Sequence, residues 1–437
     1  MILKPNKIEL KNFSDSKKFN ETKFGLPSNI EFCVKCAISN QRPVSEKEFT
    51  HNINTKKKTV KFKNGICSGC EVVERKKKVI DWKEREKELI DLCNKYRSTD
   101  GKYDCLLPGS GGKDSFYASY ILKYKYKMNP LTVTWAPHIY TDWGWHNFQA
   151  WIKSGFDNYL FTPNGKTQRL LTRLAIEKIF HPFQPFIMGQ NLFPIRLAAK
   201  NFNIKLIFYG DTNAEFGNPD DFNNSLKPLE YFTKKDLKDI YIAGTSYDEL
   251  VQKYKISRQD LSTYLPLTEK EFVNSGVKVH YLGYYLPWHP QNCYYFAVEN
   301  GGFKPAPERN LGTYSKYSSI DDKMDDFHFY TTFIKFGIGR ATHDASQEIR
   351  NGEINRDEAI SLIKQFDGEY PLRFSEEIFQ YLSIDQKTFG DISKEFEQSE
   401  FNQGYFDLLT DSFRSPHLWL FKDSRWQLRN PIYRNEL

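Results

Sequence analysis

The sequence predicts an α/β protein: a parallel sheet covered by helices on both faces, with a cysteine-bounded module before it and a mostly helical region after it. Three observations carry this prediction. Short apolar stretches alternate with helix-patterned segments between residues 103 and 209. Two CxxC pairs precede that alternation. From about Gly301 onward, helical periodicity dominates.

The elements follow in order. Residues 1–30 are polar, with Lys17-Lys18, Pro5 and Pro27, and are expected to be weakly ordered. Residues 31–75 hold the cysteine module. Lys76 to Tyr96 reads as one helix, with Leu89, Ile90, Cys93 and Tyr96 on a single face, where Cys93 is a small buried hydrophobe. Residues 76–300 form the sheet domain. Its strands are expected at Tyr103–Leu107, Leu131–Ala136, Asn158–Phe161, Lys205–Tyr209 and Val277–Leu286. Helix patterns fall between them at Asp114–Lys125, His146–Ser154, Lys166–Phe180 and Leu192–Lys200. The polar, turn-rich residues 213–275 read as an insertion. Residues 301–437 are mostly helical, with a capping-box-like start at Asn355 to Glu358.

Composition narrows the function classes. The chain has 437 residues, enough for two or three domains, and 39% of them are hydrophobic. No apolar run approaches the ~20 residues that span a bilayer. The first twenty residues lack the apolar core of a secretory signal, so a cytoplasmic location is expected. Seven cysteines, an odd number, argue against a disulfide framework. The net charge of +7 is mild and compatible with an anionic substrate, a nucleotide or nucleotide-sugar, or RNA.

The central motif is Pro108-Gly109-Ser110-Gly111-Gly112-Lys113-Asp114-Ser115, between an apolar strand and a helix. The glycines let the backbone turn tightly and approach an anion closely. Successive N–H groups and the helix N-terminus favour phosphate, Lys113 adds a point charge, and Ser110 and Ser115 add hydroxyls. A Walker A loop is excluded, because Lys113 precedes Asp114 and Leu107 stands where its first glycine belongs. A dinucleotide fingerprint is excluded by Asp114. The motif resembles the SGGxDS sequence of the PP-loop ATP pyrophosphatase superfamily, whose fold is of the adenine nucleotide alpha hydrolase-like type. That resemblance implies transfer of AMP from ATP to a carbonyl or carboxyl oxygen with release of pyrophosphate. Ser110, Gly111, Gly112, Lys113, Asp114 and Ser115 would then bind ATP, with Lys113 and Asp114 catalytic and Asp114 holding Mg²⁺.

Cys33-x-x-Cys36 and Cys67-x-x-Cys70 each offer two thiolates from a tight knuckle. Together they would close a tetrahedral structural Zn²⁺ site; an iron–sulfur cluster is the next reading. Lys35 and Lys56-Lys57-Lys58 suggest an RNA-binding ribbon or, more simply, a solvated basic face on a docking module.

The ribbon, Asp81-Trp82 and the SGGKDS turn together resemble the N-acetyl sugar amidotransferases. Further matching phrases are Pro163–Lys166, Leu171–Leu174, His181–Phe186, Gly189-Gln190, Ile207–Gly210, Glu215–Gly217, Tyr317–Lys323, Phe327–Tyr330 and Ile334–Thr342. Asp211 departs from the glutamate that the family pattern carries there. The resemblance runs from about Cys33 to Pro371. It implies conversion of an N-acetyl group on a bacterial surface sugar, of O-antigens (lipopolysaccharide) or flagellin glycans, to an acetamidino group. Ammonia would come from a glutaminase subunit, with a cyclase-like subunit channelling it.

Asp211, Asn213 and Glu215 follow a predicted strand end and are candidates for metal or sugar contacts, or for turn capping. Lys335, Arg340 and His343 are candidates for phosphate or carboxylate. Trp135, His138, Trp143 and Trp145 would stack on a ring or pack in the core. His181 and His289 precede prolines and read as element ends. Cys93, Cys105 and Cys293 lack the context of a glutaminase nucleophile, so the nitrogen source should be a partner or free ammonia. Two rival readings stand beside this one: a tRNA-thiolating PP-loop enzyme, disfavoured by the mild charge, and a non-catalytic zinc-ribbon scaffold that merely binds nucleotide.

Overall fold

The computed structural model of the chain describes residues 8–15, 21–44, 47–210 and 224–436. Five strands make one parallel sheet: β1 (Cys105–Pro108), β2 (Pro130–Trp135), β3 (Asn158–Phe161), β4 (Leu206–Tyr209) and β5 (Lys278–Tyr281). Their order is β3-β2-β1-β4-β5. The chain steps outward from β1 to β3, then returns to the other side of β1 for β4 and β5. The order thus reverses between β1 and β4, and a crevice opens beyond the carboxyl ends of those two strands.

The helices that build the site are α1 (Ser68–Val79), α2 (Trp82–Tyr96), α3 (Lys113–Tyr120), α4 (Asp142–Lys153), α5 (Gly165–Ile179), α6 (Gln184–Leu197) and α7 (Pro290–Gly301). The C-terminal region adds α8 (Asp325–Phe336), α9 (Arg340–Asn351), α10 (Arg356–Phe366), α11 (Ser375–Leu382) and α12 (Gln403–Phe413), then an antiparallel hairpin, Trp419–Lys422 with Arg425–Leu428.

Strand residues alternate between two cores, as a period of two requires. Leu106 and Ile207 join Leu170 and Leu174 of α5 and Met188 and Leu192 of α6. Cys105, Leu107, Leu206 and Phe208 join Leu89 and Cys93 of α2, Phe116 of α3, Phe148 and Trp151 of α4, and Ala297 of α7. Both faces of the sheet are therefore covered. The C-terminal region is fastened to the sheet domain through Arg173 of α5, which is fully buried. Its guanidinium donates to the Leu382 carbonyl at 2.8 Å and the Gln398 carbonyl at 2.5 Å, and pairs with Glu177.

Several elements differ from the sequence expectation. The helix expected from Lys76 breaks at Ile80, because the Asp81 side chain accepts from Lys83 N and Glu84 N and caps a new helix, α2. Helix α6 begins at Gln184, earlier than expected; Pro185 sits in its first turn, where no N–H is needed. The last strand stops at Tyr281 and gives way to a single helical turn, Leu282–Tyr285. The described part of the insertion, from residue 224, is no simple polar loop: Leu250, Tyr254, Leu261 and Tyr264 are buried in the larger core. The N-terminal stretch also contributes core residues. Phe13 and Leu26 are buried, and Phe13 meets Trp426 edge-on at 4.9 Å. The expected capping box is present, with Asn355 and Glu358 each accepting from the other's backbone. No helix among the described residues is long and apolar enough to cross a membrane.

Gly189 is the tightest point between α6 and the sheet. A Cβ there would lie 2.3 Å from the indole of Trp135, itself wedged against Phe161, Phe193 and Tyr264. A rigid ring cannot yield, so Gly189→Ala is expected to destabilise the protein by about 1–3 kcal/mol. Urea unfolding of the two proteins, with unchanged slope and a lowered midpoint, is the check.

Candidate active site

The glycine turn lies in the crevice where the strand order reverses. Gly111 has φ +88°, and a Cβ there would come within 2.7 Å of the Phe148 backbone, so helix α4 can approach only because the residue has no side chain. A Cβ at Gly109 would meet that of Ser115 at 2.3 Å. Gly112 is the N-cap of α3, and the N–H groups of Ser110, Gly111 and Gly112 have no partner among the described residues. A helix N-terminus preceded by free N–H groups is a ready site for phosphate. Ser115 is turned back, its hydroxyl donating to the Gly112 carbonyl at 3.0 Å.

These residues line one wall of a cavity of about 470 Å³, within the usual range for small-molecule sites. Lys113 is buried beneath it, 2.5 Å from the Asp114 carboxylate and 5.9 Å from the centre of the Tyr317 ring. Asp114 keeps 44% of its side-chain surface accessible. Among the described residues no group of three or more carboxylates and histidines is assembled for a metal.

The opposite wall comes from the C-terminal region. It consists of Tyr317 to Asp321 and one face of α9, where Arg340, His343, Asp344 and Gln347 recur at helical spacing. Arg340 is buried, its Nε donating to Asp344 at 3.0 Å and its guanidinium lying 4.0 Å from the centre of the Phe329 ring. Asp344 also accepts from the Thr313 hydroxyl at 2.7 Å. Burial, then Arg42, Arg340 and Arg350, push the His343 imidazole well below its ordinary pKa. Asp321 is raised by burial, against a hydrogen bond from Ser110 of the turn that lowers it, and further by Asp322.

Among the other predicted site residues, Lys335 lies elsewhere. It is buried, it donates to the Ile179 carbonyl that ends α5 at 2.6 Å, and it is absent from the cavity wall. Asp211, Asn213 and Glu215 lie outside the described residues; Gly210, just before them, lines the cavity. Trp135 is in the core, His138 is bound to Asp322 at 2.7 Å, and neither they nor Trp143 nor Trp145 line the cavity. His289 caps α7. His181 is half-buried and stacks on His328. Sequence reasoning did not single out Gln190, Trp288, Phe303, Tyr317, Asp321, Asp344 or Gln347 as site residues. The spacing of 340, 343, 344 and 347 was a readable signal. The apolar contributors, arriving from distant loops, left none.

The four cysteines converge. All are buried, with Cys33 Sγ to Cys70 Sγ at 3.8 Å, Cys36 Sγ to Cys67 Sγ at 3.7 Å, and all four sulfurs within 4.8 Å of one another. A tetrahedron with ~2.3 Å metal–sulfur bonds has edges of about 3.8 Å. The donor set therefore fits one ion; a cluster with a separate iron behind each thiolate needs the sulfurs spread wider. Cys67 N donates to Cys33 Sγ and Cys70 N to Cys67 Sγ, as in a knuckle. Zn²⁺ bound here would have no open position and would act structurally.

Comparison with known proteins adds three findings. Residues 311–432 match a family model described as the C-terminal domain of WbpG-like LPS biosynthesis proteins. An uncharacterized protein of Methanocaldococcus jannaschii is 42% identical over 53 residues, 12% of this chain and 19% of that protein. The chain thus matches about a fifth of the length of that curated relative. The U34-tRNA thiolase NcsA of Methanococcus maripaludis, solved with its 4Fe-4S cluster, aligns with a TM-score of 0.26 and 14% identity, over 77% of this chain and 89% of that one.

Two predictions follow from the geometry. Elemental analysis should find about one zinc per chain, and Cys33→Ser/Cys67→Ser should lose it and lower the melting temperature; undiminished metal in that variant refutes the ligand set. Burial, then Lys57, lowers the Lys335 amine to about 7. Between about pH 7 and 10.5 the unfolded chain holds this proton and the folded chain does not, so folding gains as pH rises. Wild type should gain stability relative to Lys335→Met across that window, by at most about 1.4 kcal/mol per pH unit. Parallel pH profiles in urea unfolding would refute the assignment.

Proposed function

We propose that the chain is an ATP-dependent amidotransferase of the PP-loop type. It forms AMP and pyrophosphate while converting the N-acetyl group of a bacterial surface sugar to an acetamidino group. The observation that carries this reading is the facing of two walls. A strand–SGGKDS–helix turn suited to ATP phosphates stands across one cavity from residues within 311–432, the segment similar to a lipopolysaccharide-biosynthesis domain.

The chemistry suits the two walls. An amide oxygen is a poor leaving group. Attack of that oxygen on the α-phosphorus of ATP expels pyrophosphate and makes it a good one. The free N–H groups of the turn and Lys113 would stabilise charge on the departing pyrophosphate. Mg²⁺ held by Asp114 would neutralise phosphate charge. Arg340, set by Asp344 and Phe329, presents its fork to an anionic part of the acceptor. Ammonia then displaces AMP.

The thiolation reading is less well supported. Among the described residues no cysteine lines the cavity, and Cys93, Cys105 and Cys293 are all buried. The same fact bears on the nitrogen source: glutamine hydrolysis belongs to a partner glutaminase, with a cyclase-like subunit passing the ammonia. An enzyme dependent on ATP and nucleotide-sugars would act in the cytoplasm.

The test supplies purified protein with ATP and N-acetylated sugars, free or linked to UDP or CMP, plus ammonium chloride or glutamine. The expected products are AMP, pyrophosphate and, with ammonium but not glutamine, an amidine. Lys113→Ala and Asp114→Ala should each lower the rate by at least about a hundredfold while leaving the fold intact. ADP and phosphate as products, tRNA as the preferred acceptor, or full activity in both variants would overturn the reading.

A further inference from the structure

Amidine formation, taken from the reading above, has a second half that needs a proton acceptor. When ammonia adds to the adenylated carbon, the new nitrogen is an ammonium and must lose a proton before AMP can leave cleanly. Among the described residues the cavity contains few groups able to take it. Asp114 is paired with Lys113. Asp344 is held by Arg340 and Thr313. His343 is kept a weak base by burial and by Arg42, Arg340 and Arg350 around it. Asp322 accepts from His138, both backbone N and Nδ1, and from the backbone of Ile139 and Met324.

Asp321 remains. It lines the cavity together with Ser110 of the phosphate turn and is partly exposed to it. Its backbone is held firmly. Thr141 N donates to the Asp321 carbonyl at 3.1 Å, the Thr141 hydroxyl to the Ile320 carbonyl at 2.6 Å, and Tyr140 bridges to Asp322. Helix α4 makes room for it: a Cβ on Gly144 would lie 2.5 Å from the Asp321 Cα. The described part of the site thus closes around this carboxyl group, beside the place where phosphates would bind, and among the described residues no cation pairs with it.

We infer that Asp321 is the general base of the second half-reaction, accepting the proton from the attacking nitrogen. The lone pair of ammonia forms the new C–N bond, and the C=N π pair of the adenylated imidate, which still carries the amide proton on its nitrogen, moves onto that sugar nitrogen. The Asp321 carboxylate takes one proton from the ammonium. The C–O bond to AMP then breaks, its electron pair leaving with the phosphate, and the amidinium forms. No oxidant or reductant enters. Burial in the wall raises the Asp321 carboxyl above its ordinary value, which makes it a stronger base.

The experiment separates the two half-reactions in Asp321→Asn and Asp321→Glu. ATP binding is measured by calorimetry, pyrophosphate release in the first turnover by rapid quench, and amidine by mass spectrometry, with ammonium chloride as the nitrogen source. Asp321→Asn should bind ATP and keep the pyrophosphate burst. Its ammonium-driven amidine formation should fall by about 10²–10⁴-fold, the usual contribution of a positioned base. Hydroxylamine, an uncharged and stronger nucleophile at neutral pH, should restore turnover as the amidoxime, and Asp321→Glu should recover part of the ammonium rate. Loss of ATP binding or of the burst would mean that Asp321 only shapes the turn, and unchanged ammonium rates or no rescue by hydroxylamine would also overturn the proposal. Wild-type enzyme that forms no adenylate with any acceptor would instead remove the amidotransferase reading, and Asp321's role with it.

Discussion

The site depends on one buried carboxylate, that of Asp322. It accepts from His138 twice, from the Ile139 backbone and from the Met324 backbone. Its side chain has only 3% of its surface accessible, so each of these donors offsets part of the cost of removing a charge from water. Two of the partners follow β2 and one precedes α8. The carboxylate is thus a rivet between the sheet domain and the C-terminal region, set one residue from a wall of the cavity. Without it the two walls would keep the Thr141 bonds to Ile320 and Asp321 beside it, but a buried imidazole would be left unpaired.

Much of the sheet domain was legible because its rules are local. Strand Asn158–Phe161 was read with the observed bounds, and the strand–turn–helix at residues 105–120 announced itself by three glycines between an apolar run and a helix pattern. The convergence of the cysteine pairs was equally readable, since two CxxC knuckles leave their spacing in the chain. What the sequence did not disclose was set by long-range contact. Phe13 and Leu26 sit in polar surroundings along the chain, yet both are buried, and Phe13 packs on Trp426, some four hundred positions away. Lys335 has the look of an anion-binding lysine and instead ends α5. Asp321 and Gln347 become neighbours of the glycine turn only once β2 and α8 are locked together.

The cysteine module reaches the cavity indirectly. Ile338, in the link between α8 and α9, belongs to the same small core as the four cysteines. Arg350, at the far end of α9, donates to Cys36 Sγ, and Arg356 donates to the Cys36 carbonyl. Helix α9 is therefore held at both ends by the knuckles, while its middle face carries His343 and Gln347 into the cavity. A structural ion bound here would act by stiffness: it would fix the pitch of a helix that lines the cavity.

The two ends of the chain are interlaced. Lys23 bonds to Ser412 and Ser415, the Arg429 guanidinium reaches the Ser14 carbonyl, and His417 hydrogen-bonds to Gln41. During synthesis on the ribosome the knuckles emerge well before the surfaces that cover them, around Ile338 and Arg350. Thiolates and apolar side chains of the early segment must wait uncovered while several hundred residues are added, at a rate of about 5–20 residues per second. An early metal ion would shorten that wait by closing the knuckle before its final neighbours exist. The same interlacing places the ends in the fabric of the molecule, so a break near either end would be felt at the centre.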